Sequence, residues 1–259
     1  MKFERHPERI SAVDLELDVA LVPWDSEIMG FPVAQIERIA IAGDGDGRLG
    51  VARLQDWLRR NHIGLASCRL PGTQLRESML LERAGFRFVE MIYQPALSPI
   101  PEQGPADPGL AVDVARADDL EAIEDIAGSA FVTSRFLLDW RLDEAASHRR
   151  YRRWIRNAFA DGHQQLLRAK VDDALIGFFI VEERPDRTAY WHLTAVAPAQ
   201  HGKGMGTRLW KAILARQHAA GVRRIETTIS AHNAAVVNLY ARLGFRFDAP
   251  RMTLHWMPD

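Results

Sequence analysis

Three glycines spaced two apart, Gly202, Gly204 and Gly206, follow an apolar stretch from Trp191 to Val196 and a break at Pro198. They precede Leu209, Trp210, Ile213 and Leu214, whose spacing predicts a helix. The chemistry such a turn offers is anion binding. Backbone N–H groups at a helix start have no internal partners and sit at the positive end of the helix dipole. Glycine leaves them uncovered and tolerates the positive φ of a nest. Lys203 and Arg208 add positive charge. Two nucleotide signatures are excluded by spacing: a P-loop needs Ser or Thr after its Lys, and Gly204 follows Lys203; a dinucleotide fingerprint needs GxGxxG, and the order here is GxGxG. Taken alone, the glycines also read as a plain turn between strand and helix.

A second group lies downstream. Ile225, Thr227 and Ile229 alternate with Glu226, Thr228 and Ser230 as a strand, after which Asn233 opens a helix that ends at Gly244. Asn233 and Tyr240 are two helical turns apart and so share a face able to address one extended ligand. Separately, Asn233 reads as a helix cap and Tyr240 as an amphipathic core residue.

The stretch from Val196 through Pro198 to Gly202, Gly204 and Gly206 resembles the VxPxxRGxGxG pattern of the GNAT acetyltransferases, and the later Asn233 and Tyr240 stand where that family carries an asparagine and a tyrosine. His201 departs from it, standing where the family has Arg or Gln. The resemblance covers about residues 111–256. It implies an α/β fold of the α+β, mixed-sheet GNAT kind, with acetyl-CoA as co-substrate and no metal. It also implies that Thr194, Ala195 and Val196 present backbone donors to pantetheine and the developing oxyanion. His201, Gly202, Lys203, Gly204, Met205, Gly206 and Thr207 would hold the pyrophosphate. Asn233 would contact the pantetheine arm, and Tyr240, with a reference pKa of about 10, would hand a proton to the departing thiolate. Glu226 and His192 are the candidate bases; each also reads as a polar residue on a sheet surface.

These groups need elements to hold them, and the chain divides accordingly. A strand at 34–41, a helix at 49–61, a strand at 63–70, a helix at 73–84 and two short strands predict a small N-terminal α/β domain over 1–97. The proline-rich run SPIPEQGPADPG suggests a linker at 98–110, leaving 111–259 as the second domain. Residues 80–97 and 239–256 repeat one pattern, a helix stopping at Gly-Phe, then Arg-Phe and a strand. The alignment puts Gln74 at the place of Asn233 and Leu81 at that of Tyr240, and the earlier loop at 43–50 carries Asp44 and Asp46. The first domain therefore reads as a degenerate GNAT-like half. In the second, Arg149, Arg152, Arg153 and Arg156 make a basic helix stripe opposite Tyr151, Trp154, Ile155 and Ala158. That stripe fits either a solvated face or a grip on an acidic acceptor.

PWDSEIMGFPVAQI near the start, Ser134-Arg135-Phe136, and Tyr151, Trp154, Asn157 and Ala158 together resemble the two-domain dTDP-fucosamine acetyltransferases, which acetylate an amino group on a nucleotide-linked sugar. That likeness implies acceptor contacts at Ser134, Arg135 and Phe136. With 33 basic and 34 acidic residues the chain lacks the charge excess of a nucleic-acid or membrane-surface binder. Its one cysteine, Cys68, excludes an internal disulfide, and its charged start and lack of a long apolar run point to the cytoplasm, as monomer or homodimer. Three functions are compatible: N-acetylation of a small-molecule amine, non-catalytic acyl-CoA binding, and acylation of a protein- or tRNA-linked amine.

Overall fold

The computed structural model describes residues 7–102, 104, 107 and 109–258. They group into two compact units, one made of residues 7–92, Leu138–Ala146 and 249–258, the other of Tyr93–Leu137 and Ser147–Asp248.

The first unit opens with β1 (Glu8–Ala12) and β2 (Leu15–Leu21), an antiparallel pair, followed by α1 (Pro23–Met29). The sequence pattern predicts nothing for these residues. Then come β3 (Val33–Ile41), α2 (Arg48–Arg60), β4 (Leu65–Pro71), α3 (Leu75–Arg83) and β5 (Arg87–Tyr93). β3 and β4 are parallel, with α2 as their crossover. On α2, Val51, Leu54, Trp57 and Leu58 recur at helical spacing, and that face is buried against Leu15, Leu17 and Val19 of β2 within one apolar cluster.

The second unit contains β6 (Ala96–Leu97), β7 (Leu110–Val114), α4 (Leu120–Ala130), α5 (Arg135–Leu138) and α6 (Glu144–Asp161). The strand-like runs HQQLLRAKV and ALIGFFIVEER around Asp172-Asp173 predict a hairpin, and β8 (Gln165–Val171) and β9 (Ala174–Glu183) form it, with the two aspartates at φ of 48° and 67°. Two successive left-handed residues make the tight turn that matches strand twist, and Asp tolerates it. β10 (Thr188–Val196), α7 (Met205–Ala219), β11 (Arg224–Thr227), β12 (Ile229–Ser230) and α8 (Ala234–Arg242) complete the unit. Its sheet runs β6-β11-β10-β9-β8-β7, antiparallel except for β10 beside β11, which α7 connects.

The chain then returns to the first unit as β13 (Arg251–Trp256), antiparallel between β4 and β5 in the order β1-β2-β3-β4-β13-β5. The expected division at 97 and 111 therefore does not follow the compact units. The physical reason is that β4 and β5 each offer an open edge, and β13 closes both while burying Thr253, Leu254 and His255. Part of the expected linker, residues 103, 105, 106 and 108, lies outside the described residues; Ile100 and Leu110 within it are buried in the second unit's core. The two strands equated by the internal repeat, β5 and β13, are hydrogen-bonded neighbours.

Candidate functional site

β10 pairs with β9 as far as Val196, but with β11 only from Thr188 to Trp191. A register shift between Trp191 and Leu193 places His192 in a bulge, and beyond it β10 and β11 part. Ala197 donates its N–H to the Ile176 carbonyl at 2.8 Å. Alternate N–H groups of a strand face opposite ways, so those of Thr194 and Val196 face the parted side and that of Ala195 faces β9.

The glycine turn follows. Gly202 and Gly204 have φ of 75° and 71°, and a Cβ built on either would meet nothing within 4 Å. Gly204 is the N-cap of α7 and no side chain caps that helix, which leaves the first-turn N–H groups of Met205, Gly206 and Thr207 without a side-chain acceptor. Lys203 is exposed and has no ion pair among the described residues. Arg208 is committed elsewhere, its Nε donating to Asp107 at 2.7 Å. His201 turns back on the strand, its Nε2 donating to the Val196 carbonyl at 3.1 Å; a carbonyl only accepts, which fixes the tautomer. The first unit differs at the matching place: the N-terminus of α2 is filled by the buried Asp14 carboxylate, which accepts from Leu49 N–H at 2.9 Å and Gly50 N–H at 3.1 Å.

Asn233 caps α8, its side-chain oxygen accepting from Val236 N–H at 3.2 Å. Tyr240 is fully buried, packed edge-on against Phe245 at 4.5 Å and near Trp210 and Trp191. Its hydroxyl makes no hydrogen bond among the described residues, nor do Nε1 of Trp191 and of Trp210. Burial pushes the Tyr240 pKa up to about 12, while the polar groups of Trp210, Thr194 and Thr227 nearby pull weakly the other way.

The two candidate bases have different surroundings. His192 Nε2 lies 2.7 Å from Glu182 Oε2, a carboxylate the sequence reading passed over. Burial lowers the His192 pKa more than Glu182 raises it, so the ring is neutral, donates from Nε2 and keeps Nδ1 as its basic atom. Glu226 is engaged by two guanidiniums: Arg224 Nε donates to one of its oxygens at 2.7 Å and Arg184 Nη1 to the other at 3.1 Å. Arg184 also lies over the Tyr190 ring at 4.7 Å, and the Tyr190 hydroxyl is 2.7 Å from Thr228 Oγ1. Glu182 lies on β9 and Arg184 just past its end, and no local spacing links them to His192.

Ser134 and Phe131 form the turn before α5, and the Ser134 hydroxyl is buried without a hydrogen-bond partner among the described residues. Phe136 is buried, with the guanidiniums of Arg135 and Arg150 each 4.5 Å from its ring centroid. The arginine stripe on α6 is partly neutralised by α4: Arg156 pairs with Glu124 and Arg152 with Asp125. Among the described residues no helix is long and apolar enough to cross a membrane, and no three His, Cys, Asp or Glu side chains are grouped to hold a metal ion.

Residues 122–245 match the family model of the acetyltransferase (GNAT) family. Over 83 residues the chain is 40% identical to an L-2,4-diaminobutyric acid acetyltransferase of Methylotuvimicrobium alcaliphilum, a match covering 31% of this chain and 48% of that one. The chain thus spans about half the length of that relative. It is 28% identical over 179 residues to a dTDP-fucosamine acetyltransferase of Escherichia coli, covering 68% of this chain and 73% of that one. In fold it is similar to a solved GCN5-related N-acetyltransferase of Sphaerobacter thermophilus, with a TM-score of 0.66 at 15% identity, over 95% of this chain and 81% of that one.

Proposed function

We propose, from the GNAT-family domain at residues 122–245, that the chain transfers an acetyl group from acetyl-CoA to a primary amine of a small molecule. The observation that carries this reading is the bare N-terminus of α7 behind two left-handed glycines, at the end of a strand that has parted from its neighbour. The cradle fits a pyrophosphate: space where side chains would stand, unpartnered N–H groups, and Lys203 unpaired beside them. Met205, Gly206 and Thr207 N–H groups would hold the phosphates, and Thr194, Val196 and Asn233 the pantetheine.

When bound, acetyl-CoA supplies an acetyl thioester and a thiolate leaving group. His192, with Nε2–H held by Glu182, takes the proton of the attacking amine at Nδ1, directly or through water. The fixed N–H groups on the parted edge of β10 stabilise negative charge as it develops on the carbonyl oxygen. Tyr240, protonated to about pH 12, carries the proton the thiolate needs. Glu226 holds Arg184 rather than acting on the amine.

Two classes of acceptor come first from the relatives: a short diamino acid, as in the L-2,4-diaminobutyric acid enzyme, and a nucleotide-linked amino sugar, as in the dTDP-fucosamine enzyme. Ser134, Arg135 and Phe136 are the residues proposed to meet the acceptor. The test is calorimetric titration with acetyl-CoA, beside Gly204→Asp, followed by an assay of free thiol release with each amine. Binding that Gly204→Asp abolishes, with amine-dependent thiol release, is the expected result. No binding by the unaltered protein overturns the reading; binding without thiol release for any amine, including protein- or tRNA-linked ones, leaves an acyl-CoA-binding module instead.

A further inference from the structure

A cavity of about 860 Å³ lies wholly in the first unit, and none of its lining residues is one discussed above as binding acetyl-CoA. That volume is in the range of small-ligand sites. Its walls combine two kinds of surface. Trp140 is 89% exposed and Phe88 49% exposed, and Trp256 joins them; an indole so open to solvent packs against nothing that stabilises the fold. Arg59, Arg87 and Arg141 supply guanidiniums to the same cavity. Arg59 is paired with Asp56, whereas Arg87 has no ion pair among the described residues.

Arg141 is the built part. Its Nε and Nη2 each donate to the Asp139 carboxylate at 2.8 Å, and Nη2 also reaches the His255 carbonyl at 3.4 Å. Asp139 in turn is 2.9 Å from His255 Nδ1, and both are buried. Burial alone would raise the Asp139 pKa, but these two partners hold it well below the usual carboxylate range. A buried ionic network of this kind is weak evidence of stability, since the desolvation it costs rivals what it gains. What it does is fix a planar guanidinium against a cavity wall with Nη1 left over, next to Arg87 and the open aromatic faces. Rigid donors backed by a second layer of bonds are how recognition sites are made.

We infer that this cavity binds a small aromatic phosphate, of the nucleoside phosphate class, its ring stacked on Trp140 and its phosphate held by Arg87 and Arg141. Stacking on aromatic faces and forked hydrogen bonds to phosphate are the two interactions these walls provide.

The test uses the full chain and UDP as probe, with uridine and inorganic pyrophosphate as its separate halves, followed by calorimetry at low and at physiological salt. UDP should bind more tightly than either half, and more weakly as salt rises. Arg87→Glu and Trp140→Ala, both at exposed positions where folding is not at risk, should each weaken it by about tenfold or more. Gly204→Asp should leave it unchanged. The inference is overturned by absence of UDP binding, by pyrophosphate binding as tightly as UDP, or by UDP binding that Gly204→Asp abolishes and Arg87→Glu and Trp140→Ala do not.

Discussion

Replacing Tyr240 with Phe removes one oxygen from a fully buried ring, and the result depends on what that oxygen touches. A buried tyrosine hydroxyl with a partner contributes about 1 kcal/mol, so its loss ordinarily destabilises. Here the hydroxyl has no partner among the described residues, and a polar group buried without one costs about 1–3 kcal/mol. Tyr240→Phe should therefore leave the unliganded protein equally stable or more stable by about 1 kcal/mol. Urea unfolding reads this as an unchanged or higher midpoint at constant slope. Turnover at saturating acetyl-CoA should fall by about a hundredfold or more, the usual worth of a positioned proton donor, with acetyl-CoA affinity unchanged. The pH dependence follows with its sign. The folded pKa, about 12, lies above the unfolded value of about 10, so the tyrosine's contribution to stability is whole below pH 10 and lost as pH rises toward 12. The Phe variant should lack that decline. A lower urea midpoint with proportionate loss of activity would show a purely structural hydroxyl, and unchanged turnover would remove Tyr240 from the mechanism.

Glu182→Gln removes the carboxylate that raises the His192 pKa, so the acid limb of kcat/KM should move to lower pH and the plateau rate should drop; a limb that stays put means His192 is not the base. His201→Arg places a permanent guanidinium cation beside the glycine turn, and acetyl-CoA should bind about three- to tenfold more tightly by calorimetry; equal or weaker binding would count against a phosphate at that turn. Leu254→Ala, in the buried face of β13, should destabilise the protein by about 2–5 kcal/mol in chemical unfolding. A cost near zero would mean β13 is not integral to the first unit.

The glycine turn, the capping Asn233 and the β8–β9 hairpin were legible because each depends on a few consecutive residues: a left-handed φ, a cap three residues from its donor, two aspartates in a row. The loop of the first half carries Asp44 and Asp46, but the carboxylate that fills the N-terminus of α2 is Asp14, 35 residues before Leu49. What could not be read is pairing at a distance. RMTLHW announces a strand, but nothing in its pattern says that its partners are β4 and β5, more than 150 residues away. Glu226 reads as a candidate base from its strand face; Arg224, two residues along the same strand, is on that face too, but the approach of Arg184 from beyond β9 could not be read. Glu182, which orients His192, was missed for the same reason. Arg208 reads as added positive charge at the glycine turn, and only the fold brings Asp107 to it.

The position of β13 also has a consequence for biosynthesis. β4 and β5 are translated early, yet the strand that belongs between them is about 160 residues later, so at ordinary translation rates of about 5–20 residues per second roughly ten to thirty seconds pass before it emerges. During that interval the nascent first unit has two open strand edges and an apolar cluster that lacks Leu254, the kind of surface that chaperones hold and that aggregates without them. The usual order, in which an N-terminal domain folds while the rest is being made, is closed to this chain. A ribosome stalled before residue 251 should carry a protease-sensitive first unit, and one stalled with β13 beyond the exit tunnel a resistant one.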